Sequence, residues 1–345
     1  KKLTASLGGD VAVANFNQED VLKNSTVRYS YTNLFPRSNV NYKFNSNSSL
    51  YFSYNGNTQQ PTIQQIQPIR DNTNTLNVFV GNPNLKQEFR QRFSINYGSY
   101  KVISQKNLYA YGNFSTVSNA ITTNQYTATS GDSIGKTVYQ YINVNGNFNG
   151  NLSGGYAFKW MKPDIRINAG LNLNVNRNNN IVNKLNNVTN NESYGIRMGF
   201  NKYVEKKFSF YVGLNVAYNT SKSSIRPDVK TNYFSQNHFF NLNYTLPLKF
   251  EFNTDIVADL RQKTSTFDRN NNVIVWNAYI GRKLFKGDKG LISIKGNDLL
   301  DQNKGFSRFI GSNVVTENSY TTLRRYFMLN FTWNFSKTPG GAPTK

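Results

Sequence analysis

Hydrophobic and polar residues alternate with a period of two along much of this chain. In the C-terminal stretch every second residue is large and apolar: Phe327, Leu329, Phe331, Trp333 and Phe335. The residues between them include Asn330, Thr332 and Asn334. Successive side chains of a β-strand point to opposite faces, so this stretch predicts a strand with one apolar and one largely polar face. A soluble sheet seldom needs so long a row of Phe and Trp.

The same alternation recurs upstream in residues 165–175, 194–200, 208–218, 250–260 and 274–280. In the segment 250–260 the polar row includes Asp255 and Asp259, and Arg261 continues it. Charged side chains are costly in a dry core but remain hydrated in a water-filled lumen. The pattern therefore favours an antiparallel transmembrane β-barrel over a soluble sandwich. It also predicts that Asp255, Asp259 and Arg261 face the lumen.

The connections between these segments alternate in length. Short turns are predicted at 205–207, 246–248 and 286–290, and long loops at 178–191, 221–231 and 303–320. Outer-membrane barrels combine short periplasmic turns with long external loops. Counting back from the end predicts about fourteen strands, an even number as in such barrels. The Asn-rich tract at 178–180 and 186–187 is interpreted as an external loop, with a disordered tract as the alternative.

One domain is expected. Residues 1–337 are predicted to form the strands and loops of the barrel, and residues 338–345 a flexible tail, because the Pro and Gly residues there cannot continue a strand. The repeat is a hairpin of roughly 40 residues, a period shared by propellers, but the strands are too long for propeller blades.

Composition agrees with a two-faced sheet. The chain is 38% hydrophobic and 14% aromatic, yet its mean hydropathy is -0.58. A barrel wall explains this combination, because half of the strand positions meet lipid and half meet water. No apolar run is long enough for a helical membrane span. Residues 1–4 lack the apolar region of a signal peptide, so we expect a mature chain or a start that lies upstream.

The formal net charge of +22 leaves three classes of partner open. These are nucleic acid, anionic lipid headgroups including lipopolysaccharide, and anionic solutes drawn into a lumen. The basic residues are dispersed along the chain and not packed into one stripe, which favours the second and third classes over nucleic acid.

Residues for catalysis are not evident. The chain has no Cys and a single His, His238, which shares a row with apolar residues and has no convincing nucleophile beside it. Asp255 and Asp259 could in principle do acid–base work or hold Ca²⁺, but a solvated lumen lining is the better interpretation. We expect no enzyme activity, no cofactor and no metal site. The side chains predicted to lie at the membrane interfaces are Trp160, Trp276, Phe331, Trp333 and Phe335.

Two segments resemble a known family. The first runs from Asn41 to Phe89 and contains a Pro-containing loop that starts at Gln60 and the run Gly81, Asn82, Pro83, Asn84, Leu85. The second is residues 293–301 with the aromatic final strand. Both are similar to the barrel of TonB-dependent receptors, and especially to outer-membrane β-barrel proteins of Bacteroidetes-type bacteria.

The resemblance implies the C-terminal part of a barrel of about 22 strands, whose plug is absent from this chain. It implies import of an unidentified nutrient, a small molecule or an oligomer, across a bacterial outer membrane. The implied partners are the TonB complex, reached through the plug, and a surface lipoprotein. Loop residues such as Tyr126, Asn178 and Tyr320 would share in binding. The alternative is a complete barrel that is passive or only displays its loops.

Overall fold

The computed structural model describes residues 2–20, 25–67, 70–71, 76–131, 133–264, 267, 269–310 and 315–335. The predicted tail, 338–345, lies outside them. Within the described residues no helix is long and apolar enough to cross a membrane. The structure is built almost entirely from strands.

The strands in the first half of the chain are β1 (Leu3–Asp20), β2 (Ser25–Asn45), β3 (Ser48–Gln59), β4 (Arg70–Asp71), β5 (Asn77–Val80), β6 (Glu88–Lys101), β7 (Lys106–Ser118), β8 (Ala120–Thr127), β9 (Thr137–Val144) and β10 (Asn147–Trp160). A one-turn helix, α1 (Ile63–Ile66), precedes β4. The strands in the second half are β11 (Ile165–Val182), β12 (Leu185–Val204), β13 (Phe208–Ser223), β14 (Arg226–Thr245), β15 (Phe250–Arg261), β16 (Asn271–Leu284), β17 (Gly290–Asn297), β18 (Gly305–Ile310), β19 (Val315–Tyr320) and β20 (Tyr326–Trp333).

One sheet contains 18 of these strands, and β18 and β19 form a second, two-stranded sheet. In the 18-stranded sheet, the strands that pair one after another in antiparallel orientation form a main series. This series begins with β1, β2, β3, β6, β7 and β10, each paired with the next. Strands β10 to β14 are neighbours in the same sheet, and β14, β15, β16, β17 and β20 continue the pairing. This series has fourteen members, as the hydrophobic pattern predicted, and the antiparallel all-β fold is confirmed.

The remaining strands belong to insertions between members of the series. The first insertion lies between β3 and β6 and contains α1, β4 and β5. The second is the β8–β9 hairpin, which joins β5 by a parallel pairing and β11 by a short parallel contact. The third is the β18–β19 hairpin between β17 and β20.

The predicted short turns are confirmed. Residues 205–207 form the turn between β12 and β13, and residues 285–289 connect β16 to β17. Between β14 and β15 a short 3-10 turn covers Pro247–Lys249.

Two of the three predicted long loops are wrong, and the third, 303–320, does lie in a long connection, the one between β17 and β20. Residues 178–191 are strand except for the two-residue turn at Asn183 and Lys184, and residues 221–231 are strand except for a turn at 224 and 225. The region 303–320 contains the β18–β19 hairpin. Asn is depleted in strands, which made the Asn-rich tract look like a loop. In the structure its amides bond across strands instead: Asn187 donates to Asn180 at 2.9 Å, and Ser223 donates to Asn187 at 2.7 Å.

Each strand of the main series has an apolar and a polar face, as the alternation predicted. On the apolar face of β20, Phe327, Leu329 and Phe331 are 66%, 72% and 58% exposed. Residues buried in a hydrophobic cluster are few by contrast. One such cluster, in the β5, β8 and β9 region, consists of Val78, Ala128 and Val138, with Val80 and Tyr126 packed against it.

The chain divides into two compact units. The first unit comprises Lys1–Ala157, Gly170–Gly195 and Tyr218–Asn232, and the second comprises Phe158–Ala169, Ile196–Ala217 and Tyr233–Lys345.

Candidate functional site

The polar face of the second unit carries the three side chains that were predicted to face a lumen. Asp255 and Asp259 lie on one face of β15, opposite Asn241 and Asn237 of β14. Asp255 accepts a hydrogen bond from the Nδ2 of Asn277 at 2.8 Å, and Asp259 accepts one from the Nδ2 of Asn237. Each carboxylate is therefore solvated by an amide of a neighbouring strand. The two acids do not form a catalytic pair with each other.

This polar row continues toward the short-turn end of β15. Glu251 accepts a hydrogen bond from the Tyr279 hydroxyl at 3.0 Å and pairs with the Lys283 ammonium at 3.3 Å. Between Glu251 and Asp255, Asn253 donates to Asn243 at 2.7 Å. The face is thus a row of hydrogen-bonded polar groups of the kind that borders water and is costly to bury dry.

At the other end of β15, Arg261 contacts β14 and the β18–β19 hairpin. Its guanidinium lies over the Tyr233 ring at 4.3 Å and donates to the Arg308 carbonyl at 3.4 Å. Arg308 itself lies between the rings of Phe267 and Phe306, at 4.4 and 4.7 Å, and its Nε contacts Glu317 at 3.0 Å. The β18–β19 hairpin is therefore fastened by stacked guanidinium and aromatic groups.

The predicted interface aromatics lie at strand ends, with one exception. Trp160 is the last residue of β10, Trp333 is the last residue of β20, and Phe331 and Phe335 flank Trp333 on the same row. The Trp333 ring packs against Phe285 at 4.8 Å. All of these lie near short turns.

Trp276 differs because it lies within β16, on the apolar face, where its Nε1 donates to the Thr254 hydroxyl at 2.8 Å.

His238 also lies within a strand, β14. It pairs with Ala258 of β15 in the sheet, and its Nε2 is 2.9 Å from the Oε1 of Gln236. Its Nδ1 is buried and has no hydrogen-bond partner among the described residues.

A second polar surface, in the first unit, was not found from the sequence. A cavity of about 650 Å³ opens on the polar face of β6, β7, β10 and β11. Its lining includes Glu88, Arg90, Arg92, Tyr111, Asn113, Ser115, Asn149, Asn176 and Asn178. Ala120 and Ile121, at the start of β8, close one side. Of the three loop residues expected to share in binding, only Asn178 lines this cavity.

The charges in the cavity do not cancel. Glu88 is buried and accepts two bonds from Arg90, at 3.1 and 2.9 Å, and one from the backbone N–H of Ile121 at 2.6 Å. Arg92 lies two residues further along the same face and has no ion-pair partner among the described residues. The cavity therefore presents one uncompensated guanidinium beside hydroxyl and amide groups. Such a surface suits a polar ligand that carries an anionic group.

The insertions around the cavity are built by the motif Gly81 to Leu85. Gly81 packs on the Gln67 backbone so closely that a Cβ would lie 1.8 Å from the Gln67 carbonyl oxygen. Asn82 receives the backbone N–H of Asn84 at 3.0 Å and donates to the Tyr141 carbonyl at 2.9 Å. Leu85 is buried. The motif therefore joins the first insertion to β9, and this role explains why these residue types occur together.

Asp298 and Asp301 fix the conformation of the connection that follows β17. The buried Asp298 carboxylate accepts the backbone N–H groups of Gln302 and Asn303 at 3.0 and 2.9 Å. Asp301 accepts the Arg325 N–H and pairs with Arg324 at 3.3 Å. Among the residues that the structure describes, no group of three or more His, Cys, Asp or Glu is arranged to hold a metal ion.

The period-two pattern could not reveal the cavity, because Arg90 and Arg92 belong to a strand like any other. The one available signal was the pair of arginines at alternate positions, two residues after an acid, next to the Gly81 motif.

Comparison with known proteins agrees with this architecture. Residues 1–186 and 171–333 match the model of a family described as "Outer membrane protein beta-barrel family". No curated protein matches the chain in sequence.

Two solved structures share the fold. The FrpB iron transporter from Neisseria meningitidis, F5-1 variant in the apoprotein form, is 10% identical with a TM-score of 0.51 over 95% of this chain and 52% of its own. The F3-3 variant of the same transporter gives 10% identity and a TM-score of 0.51 over 86% and 46%. The chain thus spans about half the length of these structures.

Proposed function

The chain belongs to the outer membrane protein β-barrel family of the bacterial outer membrane, and we propose that it is the barrel portion of a TonB-dependent receptor that imports a nutrient. The observation that carries this proposal is the polar face of the sheet. Charged and amide side chains line it in both units, and in the first unit they surround a cavity with an unpaired arginine. A passage for polar solutes needs a wall of this kind.

The likeness to FrpB supports the proposal at the level of the fold. That protein is an iron transporter, and its chain is about twice as long as the part matched here. In a receptor of this class the missing length would include the plug. Uptake would then consist of binding at the external end, displacement of the plug by TonB and passage along the polar face.

The substrate class that fits best is a polar small molecule or oligomer with a carboxylate or phosphate group. Arg92 supplies a charge that is not already neutralised, and the neighbouring Tyr and Asn side chains supply donors and acceptors. A net charge of +22 would raise the local concentration of anions near the wall. No catalytic step is required of the chain.

The proposed membrane position uses the aromatic residues. Trp160, Phe331, Trp333 and Phe335 would lie at the periplasmic interface, because they end or follow strands beside short turns. Trp276, further along its strand, would lie nearer the external interface. Phospholipid and lipopolysaccharide would be the lipid partners, and a surface lipoprotein could cover the external end.

Competitive growth of three strains tests the proposal: wild type, a deletion of this gene, and a strain without TonB. On a panel of anionic nutrients supplied singly at limiting concentration, we expect both mutants to lose fitness on the same nutrient. A nutrient that depends on this gene but not on TonB would identify a passive barrel. Unchanged growth on every nutrient, with the protein present at the surface, would favour a barrel that only displays its loops.

Arg92 allows a sharper version of the experiment. Arg92→Gln removes the unpaired charge, and a charge-assisted hydrogen bond is worth roughly 1.5–3 kcal/mol, so nutrient binding should weaken by tenfold or more. Lys101→Gln, at the short-turn end of the same strand, is the matched control and should bind normally. Equal binding by both variants would remove Arg92 from the site.

A further inference from the structure

The apolar face of the first unit contains a groove that the transport proposal does not use. Its volume is about 270 Å³. The lining includes Ile95, Gly112, Phe114, Gly150, Leu152 and Val175, which come from four neighbouring strands, β6, β7, β10 and β11. Every one of these side chains is apolar.

Two glycines create the groove. Gly112 of β7 lies opposite Ile95 of β6 and Leu152 of β10, and Gly150 lies opposite Phe114. A Cβ on Gly150 would lie 3.1 Å from Val175 and 3.3 Å from Phe114, and one on Gly112 would lie 3.0 Å from Ile95. Larger residues at these positions would fill the space. The walls stand out from the sheet, since Leu152 is 51% and Phe114 is 43% exposed.

Two charged residues, Arg177 and Glu192, lie near the groove on its own face. Arg177 follows Val175 by two residues on β11, on the side away from the short turn that precedes this strand. Side chains two apart in a strand share a face and are about 7 Å apart. The Arg177 Nε is buried and has no hydrogen-bond partner in the described part of the chain. Glu192, on the corresponding face of β12, already accepts the Tyr194 hydroxyl at 2.8 Å.

With the short turns at the periplasmic interface, as in the proposed function on which this step rests, the groove lies at the height of the outer leaflet. Ile95 and Phe93 lie six and eight residues from Lys101, the last residue of β6 before its short turn. That corresponds to roughly 20–26 Å along the strand. At a strand tilt of ~40° the groove lies about 15–20 Å above Lys101 along the membrane normal, and the apolar band of a barrel is about 25 Å tall. Arg177, a further ~7 Å along its strand, then lies near the outer edge of the band, where lipid phosphates are found.

We propose that this groove holds an acyl chain of a phosphorylated outer-leaflet glycolipid, lipid A, whose phosphate is bound by Arg177. An apolar chain fills a notch that neighbouring strands leave open, and a phosphate binds the Arg177 guanidinium in a region with little water. The charge of Arg177 selects an anionic lipid, and the height selects the outer leaflet. This site is separate from the polar cavity, so its occupation does not depend on the nutrient.

Native mass spectrometry of the full-length protein tests the assignment, after extraction from outer membranes and exchange into detergent with added lipid A or phosphatidylglycerol. We expect the wild type to retain lipid A and Arg177→Gln to retain about tenfold less. Arg177→Lys should recover part of the binding. Gly150→Leu, which fills the groove and leaves the arginine in place, should also lose the lipid.

Arg282→Gln is the control, because Arg282 lies at the short-turn end of an apolar row and is already held over the Phe250 ring at 5.5 Å. It should bind lipid A like the wild type. Retention of compact migration on unheated gels shows that each variant is folded. Equal lipid A binding by wild type, Arg177→Gln and Gly150→Leu would overturn the proposal, and so would binding of phosphatidylglycerol as strong as that of lipid A.

Discussion

Arginine and aspartate side chains determine the conformation of the connections between strands. Arg308 and Asp298 do so in buried positions, where each satisfies several partners. Asp288 and Lys249 form an exposed ion pair that links two short turns, with 2.9 Å between the carboxylate and the ammonium group. The difference in exposure decides how much each contact contributes to stability.

Replacement of Arg308 should loosen the β18–β19 hairpin. The Arg308 side chain is only 7% exposed and touches two rings and a carboxylate. We expect Arg308→Ala to destabilise the hairpin by about 2–3 kcal/mol, the sum of two partly buried cation–π contacts and one ion pair. Hydrogen exchange of residues 305–308 and 316–320 measures this. Arg324→Ala, which removes a more exposed pair, is the control and should leave the exchange unchanged.

The Lys249–Asp288 contact predicts a pH effect outside the membrane-spanning segments. The hydrogen bond from Lys249 holds the pKa of Asp288 below its ordinary value of 3.8. A carboxyl with a lowered pKa in the folded state adds stability above the unfolded pKa and loses it as pH falls through the folded pKa. Carboxyl ¹³C titration should therefore show the Asp288 pKa rising toward 3.8 in Lys249→Gln. A titration curve identical to the wild type would contradict this contact.

At the scale of elements, side chains of neighbouring strand residues lie on opposite faces. The same substitution at two neighbouring residues should therefore affect membrane assembly differently. Leu329 lies on the exposed apolar face of β20, and Asn330 lies on the polar face. An arginine on the lipid face near the middle of the membrane costs about 2–4 kcal/mol, whereas one on the lumen side stays hydrated.

We therefore expect Leu329→Arg to reduce assembly into the outer membrane and Asn330→Arg to assemble normally. Heat-modified migration of membrane fractions reports the assembled share of each variant. Similar assembly of both variants would mean that β20 does not face lipid on its apolar side.

The first insertion depends on a close backbone approach. Gly81→Ala would place a Cβ 1.8 Å from the Gln67 carbonyl oxygen, which the backbone must move to avoid. We expect hydrogen exchange at Ile66 and Leu85 to speed up by at least tenfold, a loss of about 1.4 kcal/mol. Gly98→Ala, where no atom lies within 4 Å of the added Cβ, should have no effect. Unchanged exchange in Gly81→Ala would show that the contact is not tight in solution.

At the scale of the whole molecule, the receptor proposal predicts a longer native protein. The chain matches about half of the FrpB structures, and a plug and further strands would account for the rest. The intact mass of the protein extracted from outer membranes should then be well above 39.3 kDa. A mass near 39.3 kDa would remove the basis for plug-gated uptake and leave a passive or display barrel.

The sequence by itself determined the two-faced strands, their number in the main series and the short turns. The reason is that side-chain direction in a strand depends only on position, so Phe327 to Trp333 or Asp255 to Arg261 can be assigned to faces without knowing their neighbours. Family resemblance then identified Gly81 to Leu85 as a specific motif, although not what it does.

Only the tertiary structure decided that the residues of the Asn-rich tract lie in strands, and which groups their side chains bind. Asn187 reads as a loop residue because Asn is rare in strands, yet partners from the two adjacent strands satisfy its amide. The polar cavity at Arg92 likewise combines residues of five strands, and the groove beside Arg177 combines residues of four. Such sites depend on the register between strands, and no period along one strand contains that information.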